Sequence, residues 1–142
     1  MIDILAHLLR FFPPEVAHYL TLNALKLQSL KTNKNTIEDP KLHQHIWGLD
    51  FINPIGLAAG FDKNAEVVMP LINIGFGFVE AGTVTPRPQN GNKKPRVFRL
   101  NQDKAIINNL GFNNIGMESV AKKLEKINLN LISNGVIGIN IG

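Results

Sequence analysis

The sequence predicts an α/β fold built on a parallel sheet. Three observations carry that expectation. Short apolar runs of strand length alternate with helical periodicity from Ile55 onward. The runs at 55–59 and 77–82 end in small residues and then polar turns, and ligands of parallel α/β folds sit outside such strand ends. The composition is that of an ordinary folded domain, with 44% hydrophobic and 18% charged residues. A net charge of +4 is far from the basic stripe of a nucleic-acid binder, so no nucleic-acid partner is expected. The absence of cysteine excludes disulfides and thiolate metal sites, and no metal is expected. No apolar run reaches the roughly 18 residues of a membrane span. The N-terminus lacks the basic region and cleavage site of a signal peptide, so the chain reads as cytoplasmic and without a span.

Residues 1–30 form the first unit. Ile4, Leu5, Leu8, Leu9, Phe11 and Phe12 recur at helical spacing, Pro13 breaks the pattern, and Pro14 can open a second helix. Val16, Tyr19, Leu20, Leu22, Leu25 and Leu27 give that helix apolar residues on most sides. Arg10, Lys26, Lys31 and Lys34 outnumber Asp3 and Glu15. Apolar faces with scattered bases suit a helix in a membrane interface, although periodicity alone favours a hairpin packed on its own domain. Residues 31–45 are a polar linker. Ile46 to Ile52 reads as a small hairpin turning near Gly48, with Trp47 as a packing residue.

The chain is organised around Asn53 to Asn64. Pro54 fits the first residue of a strand, where no ladder donor is missed. Ala58, Ala59 and Gly60 carry almost no side chain, so something flat can lie close to the backbone. Asp62 and Lys63 follow at the strand's C-terminal end, and a helix is expected from about Asn64, with Val67, Val68, Leu71 and Ile72 on one face. On composition alone, an ordinary strand-to-helix turn with a surface Asp62–Lys63 ion pair is equally well served. Pro70 would kink that helix. The next strand is expected at 77–82 and a loop from Thr85 to Pro95. Arg96 to Leu100 alternates as a half-buried strand, and Ala105 to Ile107 can return as its partner. A helix from about Ile115 to Ile127 turns Val120, Leu124 and Ile127 inward, and Gly135 to Ile141 is the third core strand.

Five phrases, GLAAGFDK, GFGFVEAGTVTPRPQ, KPRVFRL, INNLGFNN and GINIG, stand in order along this frame. Together they closely resemble class 2 dihydroorotate dehydrogenase, the quinone-linked, FMN-dependent enzyme of pyrimidine synthesis. The resemblance implies a (β/α)8 TIM barrel preceded by a helical hairpin, with residues 46–142 as its N-terminal portion and about three of its strands present. It implies oxidation of dihydroorotate to orotate: a base takes a proton from C5 and a hydride passes from C6 to FMN. A membrane quinone then accepts the electrons. By the same resemblance Ala59, Gly60, Phe61, Asp62, Lys63, Thr83 and Asn140 face FMN. Lys63, Asn108, Asn109, Leu110, Gly111 and Phe112 hold the substrate, and His18 and Arg99 line a quinone tunnel. Trp47 would cover the barrel bottom.

The resemblance also reverses the reading of residues 1–30, which would dock on the cytoplasmic side of the cell inner membrane as a peripheral element of a monomeric enzyme. The family's catalytic base is a serine on a loop beyond the third strand. Ser119 and Ser133 do not lie in that motif, so the base and the distal FMN phosphate site are expected beyond Gly142, and the 142 residues alone are expected to be inactive. Ala65 departs from the family's usual Gly, and Asn109 from its usual Asn-Arg. Two alternatives stand beside this reading. One is another FMN barrel oxidoreductase such as a class 1 dihydroorotate dehydrogenase, which lacks the hairpin. The other is a non-catalytic fragment that binds a membrane or a partner. Read without the resemblance, Asn108, Asn113 and Asn114 are turn formers with Gly111 as their positive-φ partner, and His18 and Arg99 are a helix histidine and a solvated strand residue.

Overall fold

The computed structural model describes residues 7–28, 39–127 and 135–142. Ile4 and Leu5 of the expected first helix, most of the expected linker, and Ser133 lie outside those residues. Residues 7–9 are helical and turn through 10–12 into α1, Pro14–Gln28. Ala17 and Leu25 of α1 are buried, and Leu22 packs on the same core. Val16, Tyr19, Leu20 and Leu27 stay exposed. The helix is therefore apolar on two sides for two reasons, because one side packs and the other faces out.

A hairpin of β1, Gln44–Ile46, and β2, Leu49–Phe51, follows, two residues ahead of the expected start. Trp47 (φ 54°) and Gly48 (φ 76°) make the two-residue turn whose left-handed backbone matches strand twist. That turn carries Trp47 out to 95% exposure, so it is not the packing residue its size suggested. Phe51 makes the contact instead, edge-on to Phe78 with ring centroids 5.8 Å apart.

The remaining elements are β3, Gly56–Leu57; α2, Val68–Asn73; β4, Phe78–Val84; β5, Val97–Leu100; β6, Ala105–Asn108; α3, Met117–Leu124; and β7, Val136–Ile141. β3, β4 and β7 form a parallel sheet in that order, as the strand–helix alternation requires. β5 and β6 make a separate antiparallel pair. The core lies on one face of the parallel sheet. Val79, Ala81 and Val84 of β4 meet a cluster holding Val68, Leu71 and Ile72 of α2, Val120 of α3 and Leu25 of α1. Phe78 and Glu80 alternate with Val79 and Ala81, so they point to the other face.

The helix expected from Asn64 begins at Val68. Residues 62–67 instead wind around the Asp62 carboxylate, which accepts from the Glu66 and Val67 amides at 2.8 and 2.7 Å. Pro70 therefore sits in the first turn, where an amide has no intrahelical partner to lose, and the expected kink has no cause. Ala65 adopts φ 50° inside this turn, the left-handed conformation that Gly enters without steric cost.

Candidate functional site

α1, the turn after β3 and the β5–β6 pair line a half-open cavity of about 540 Å³. Its lining includes Gly60, Phe61, Asp62 and Lys63 from the turn, His18 from α1, Arg99 from β5, and Asn108 and Leu110 at the end of β6. Residues far apart in sequence, nominated for flavin, substrate and quinone, thus line one cavity. Ala59, Thr83, Asn109, Gly111, Phe112 and Asn140 stand outside this lining.

Lys63 is half-buried and donates from Nζ to the Gly60 carbonyl at 2.6 Å. Burial pulls its ammonium below the ordinary lysine range, and the positive Arg96 nearby lowers it further. Asp62 is 1% exposed, and both its oxygens are taken by the backbone amides of its own turn. It shapes the turn that presents Lys63 and is not half of a surface ion pair. Gly60 has φ 109°, and a side chain there would meet nothing within 4 Å, so the space above its backbone is open. Its amide donates to the Gly82 carbonyl at 2.8 Å, and the Gly82 amide donates to the Asp62 carbonyl at 3.0 Å, which ties the turn to β4.

Thr83 and Asn140 come together at the C-terminal ends of β4 and β7. The Thr83 hydroxyl donates to Asn140 Oδ1 at 2.6 Å, and Asn140 Nδ2 donates to Glu80 Oε1 at 2.9 Å. Glu80 was not nominated from sequence. Its signal was there: a carboxylate alternating with Val79 and Ala81 in an otherwise apolar strand, facing away from the core.

The turn after β6 has Gly111 at φ 71° and Phe112 at φ 54°. The first is the positive φ that the turn chemistry predicted; the second places a bulky residue in a strained region. Asn114 is more than a turn former. Buried at 6% exposure, it donates to the Thr85 hydroxyl and the Phe112 carbonyl, and its Oδ1 accepts from the Gly116 amide. Asn113 Oδ1 is buried and has no hydrogen-bond partner among the described residues.

His18 donates from Nε2 to the Phe61 carbonyl at 2.7 Å, and its ring stands edge-on to Phe61 at 5.2 Å. Burial lowers its pKa, which the Phe61 bond opposes and the Lys63 charge assists. Arg99 is not a solvated strand residue. It donates to the carbonyls of Arg10, Phe12 and Leu9 where the first helical segment ends, and the Leu9 carbonyl also accepts from the Phe12 amide at 3.3 Å. Among the described residues no cluster of His, Asp and Glu is arranged to hold a metal ion.

Residues 41–142 match the family model described as Dihydroorotate dehydrogenase. The chain belongs to the dihydroorotate dehydrogenase family. A Rhodospirillum rubrum protein named Dihydroorotate dehydrogenase (quinone) is 54% identical over 129 residues, 91% of this chain and 34% of that protein. A Rhizobium rhizogenes protein of the same name is 52% identical over 129 residues, with the same coverage of each chain. The crystal structure of DHODH in complex with ferulenol from Eimeria tenella aligns with a TM-score of 0.82 at 47% identity, covering 91% of this chain and 35% of that one. The chain thus spans about a third of the length of the curated relatives it matches. Its parallel sheet and flanking helices are consistent with part of the TIM barrel of that family.

Proposed function

We propose that this chain supplies the first strands of an FMN-dependent dihydroorotate dehydrogenase whose electrons pass to a membrane quinone, in the synthesis of UMP. One observation carries the reading. Lys63 is a half-buried cation held by Gly60 in the turn after β3, in a cavity it shares with Asn108, His18 and Arg99. Dihydroorotate and orotate each carry a carboxylate for such a cation. A fixed ammonium also stabilises negative charge that develops during the oxidation. Asn108 offers an amide donor and acceptor to the pyrimidine edge, and Leu110 to Phe112 close the turn beside it.

The residues present fit FMN. Open space over Gly60 and the small Ala59 leave room for a flat ring, and the Thr83–Asn140 pair offers polar atoms at the neighbouring strand ends. When bound, FMN supplies the hydride acceptor. The serine base and the distal phosphate site belong, in this proposal, to the length of the relatives that this chain does not span. His18 and Arg99 face the quinone side, and residues 1–30 lie on the cytoplasmic face of the inner membrane. The deciding experiment is to express the protein at the full length of its relatives and release its flavin by denaturation. One non-covalent FMN per chain is expected, since the described strands offer no cysteine for a thioether link. A colourless preparation that still oxidises dihydroorotate overturns the proposal.

A further inference from the structure

Arg96, just ahead of β5, is only 7% exposed; it lines the cavity of Lys63 and lowers the Lys63 pKa, but the function proposed above gives it no contact with substrate or flavin. Its guanidinium reaches in two directions. Nε donates to Glu15 Oε1 at 2.9 Å, in the first turn of α1. Nη1 donates to the carbonyls of Asn90 and Asn92 at 2.8 and 3.2 Å. The 90–92 turn is bonded onward to the turn after β6. The Asn92 amide donates to the Leu110 carbonyl at 3.0 Å, and Asn92 Nδ2 donates to Asn109 O and Oδ1 at 3.0 and 2.7 Å. The Asn109 amide in turn donates to the Arg96 carbonyl at 2.8 Å.

There is no slack along this path. A Cβ at Gly91 would lie 2.2 Å from the Leu110 oxygen and 2.8 Å from Arg96 Nη1, and one at Gly111 would lie 2.9 Å from Asn92. The guanidinium, the 90–92 turn and the 109–111 turn are therefore packed face to face. A buried guanidinium that loses its carboxylate keeps its charge and must find another acceptor, which displaces whatever its other arm holds.

We infer that Glu15 and Arg96 are positioning residues for the substrate turn, so that docking of α1 seats residues 108–112 against the pyrimidine. This rests on the reading of that turn as the substrate-binding segment. α1 then does more than admit a quinone, because it sets affinity in a half of the reaction that involves no quinone.

The test measures orotate binding to the flavin-loaded protein at the full length of its relatives, by the change in flavin absorbance, with no quinone present. Glu15→Ala should raise the orotate Kd about fivefold or more. Glu15→Gln, which still accepts from Arg96 Nε, should raise it less. Asn92→Ala should act in the same direction. The double variant Glu15→Ala/Asn92→Ala should fall short of the product of the two single effects, because both act through one path. Should Glu15→Ala fail to fold, Glu15→Gln and Asn92→Ala put the same question. An unchanged orotate Kd in Glu15→Ala or in Asn92→Ala with full flavin content overturns the inference, as does a double variant whose effects simply multiply. Failure of the underlying reading looks different, since the wild-type protein itself would then give no response to orotate.

Discussion

Lys63 and Ala65 stand in one turn and show two levels of residue-scale chemistry. Lys63 is held by the Gly60 carbonyl beside an open backbone face. Its truncation removes the one charge proposed to meet the substrate carboxylate. Lys63→Ala in the full-length protein should slow single-turnover flavin reduction by dihydroorotate more than tenfold, about 1.4 kcal/mol in barrier. An unchanged rate would count against the role. Ala65 bears on the fold alone. Its left-handed backbone favours Gly, while its buried methyl favours Ala. Relief of the steric cost and loss of about one buried methyl, roughly 0.8 kcal/mol, oppose each other. Ala65→Gly should therefore change stability by less than about 1 kcal/mol. Ala65→Val, β-branched at positive φ, should cost about 2 kcal/mol or more, as read from denaturant midpoints. The place of Lys63 beside Gly60 in the cavity was legible through its phrase. The role of Asp62 was not, because a carboxylate next to a lysine reads as an ion pair until the backbone amides at Glu66 and Val67 are seen to hold it.

Between elements, charged side chains join what the sequence separates. Glu66 pairs with Lys26 of α1 and, at 3.7 Å, with Lys123 of α3, and it accepts from Asn64 Nδ2. Burial pushes its carboxyl up, but the hydrogen bonds from Lys26 and Asn64 and the Lys123 charge outweigh burial and hold it below the usual carboxylate range. A depressed carboxyl contributes stability above its unfolded value, about 4.3, that is lost as pH falls through the folded value. His18 acts in a higher window. Its folded pKa lies below the ordinary 6.5, so the unfolded chain takes up the proton first and stability falls as pH drops below 6.5. Thermal midpoints across a pH series should decline in two stages. His18→Gln should flatten the upper stage and Glu66→Gln the lower. A wild-type midpoint that does not move between pH 7 and 5 would rule out the His18 stage. The helices that carry Lys26, His18 and Lys123 were legible from periodicity, whereas Glu66 lies in a turn where a helix was expected. The pairings were not, because Lys26 and Glu66 lie 40 residues apart and Glu15 and Arg96 lie 81 apart, and no local pattern records such a meeting.

At the scale of the whole molecule, the exposed side of residues 7–28 remains to be accounted for. Phe11 is 87% exposed, Leu27 69% and Tyr19 64%, while the opposite side of α1 packs Ala17 and Leu25 into the body. No helix among the described residues is long and apolar enough to cross a membrane. An apolar outer face on a helix too short to span suits a surface that is itself half apolar. Apolar burial supplies most of such binding, and Lys and Arg near an anionic surface add roughly 1 kcal/mol each. Binding should therefore be reversible and weakened, not abolished, by salt. Phe11→Ser with Leu27→Ser removes two exposed side chains that nothing in the core needs, each contributing about 1.5–3 kcal/mol when fully buried. In the full-length protein this pair should cut sedimentation with anionic vesicles at least tenfold. It should lower reduction of a long-chain quinone delivered in those vesicles and leave reduction of a soluble dye intact. Because Glu15 and Arg96 are untouched, orotate affinity should also stay intact, which separates membrane docking from the seating of the substrate turn. If dye and quinone reduction fall together, the outer face is a folding surface; if sedimentation persists, the anchor lies on another part of the molecule.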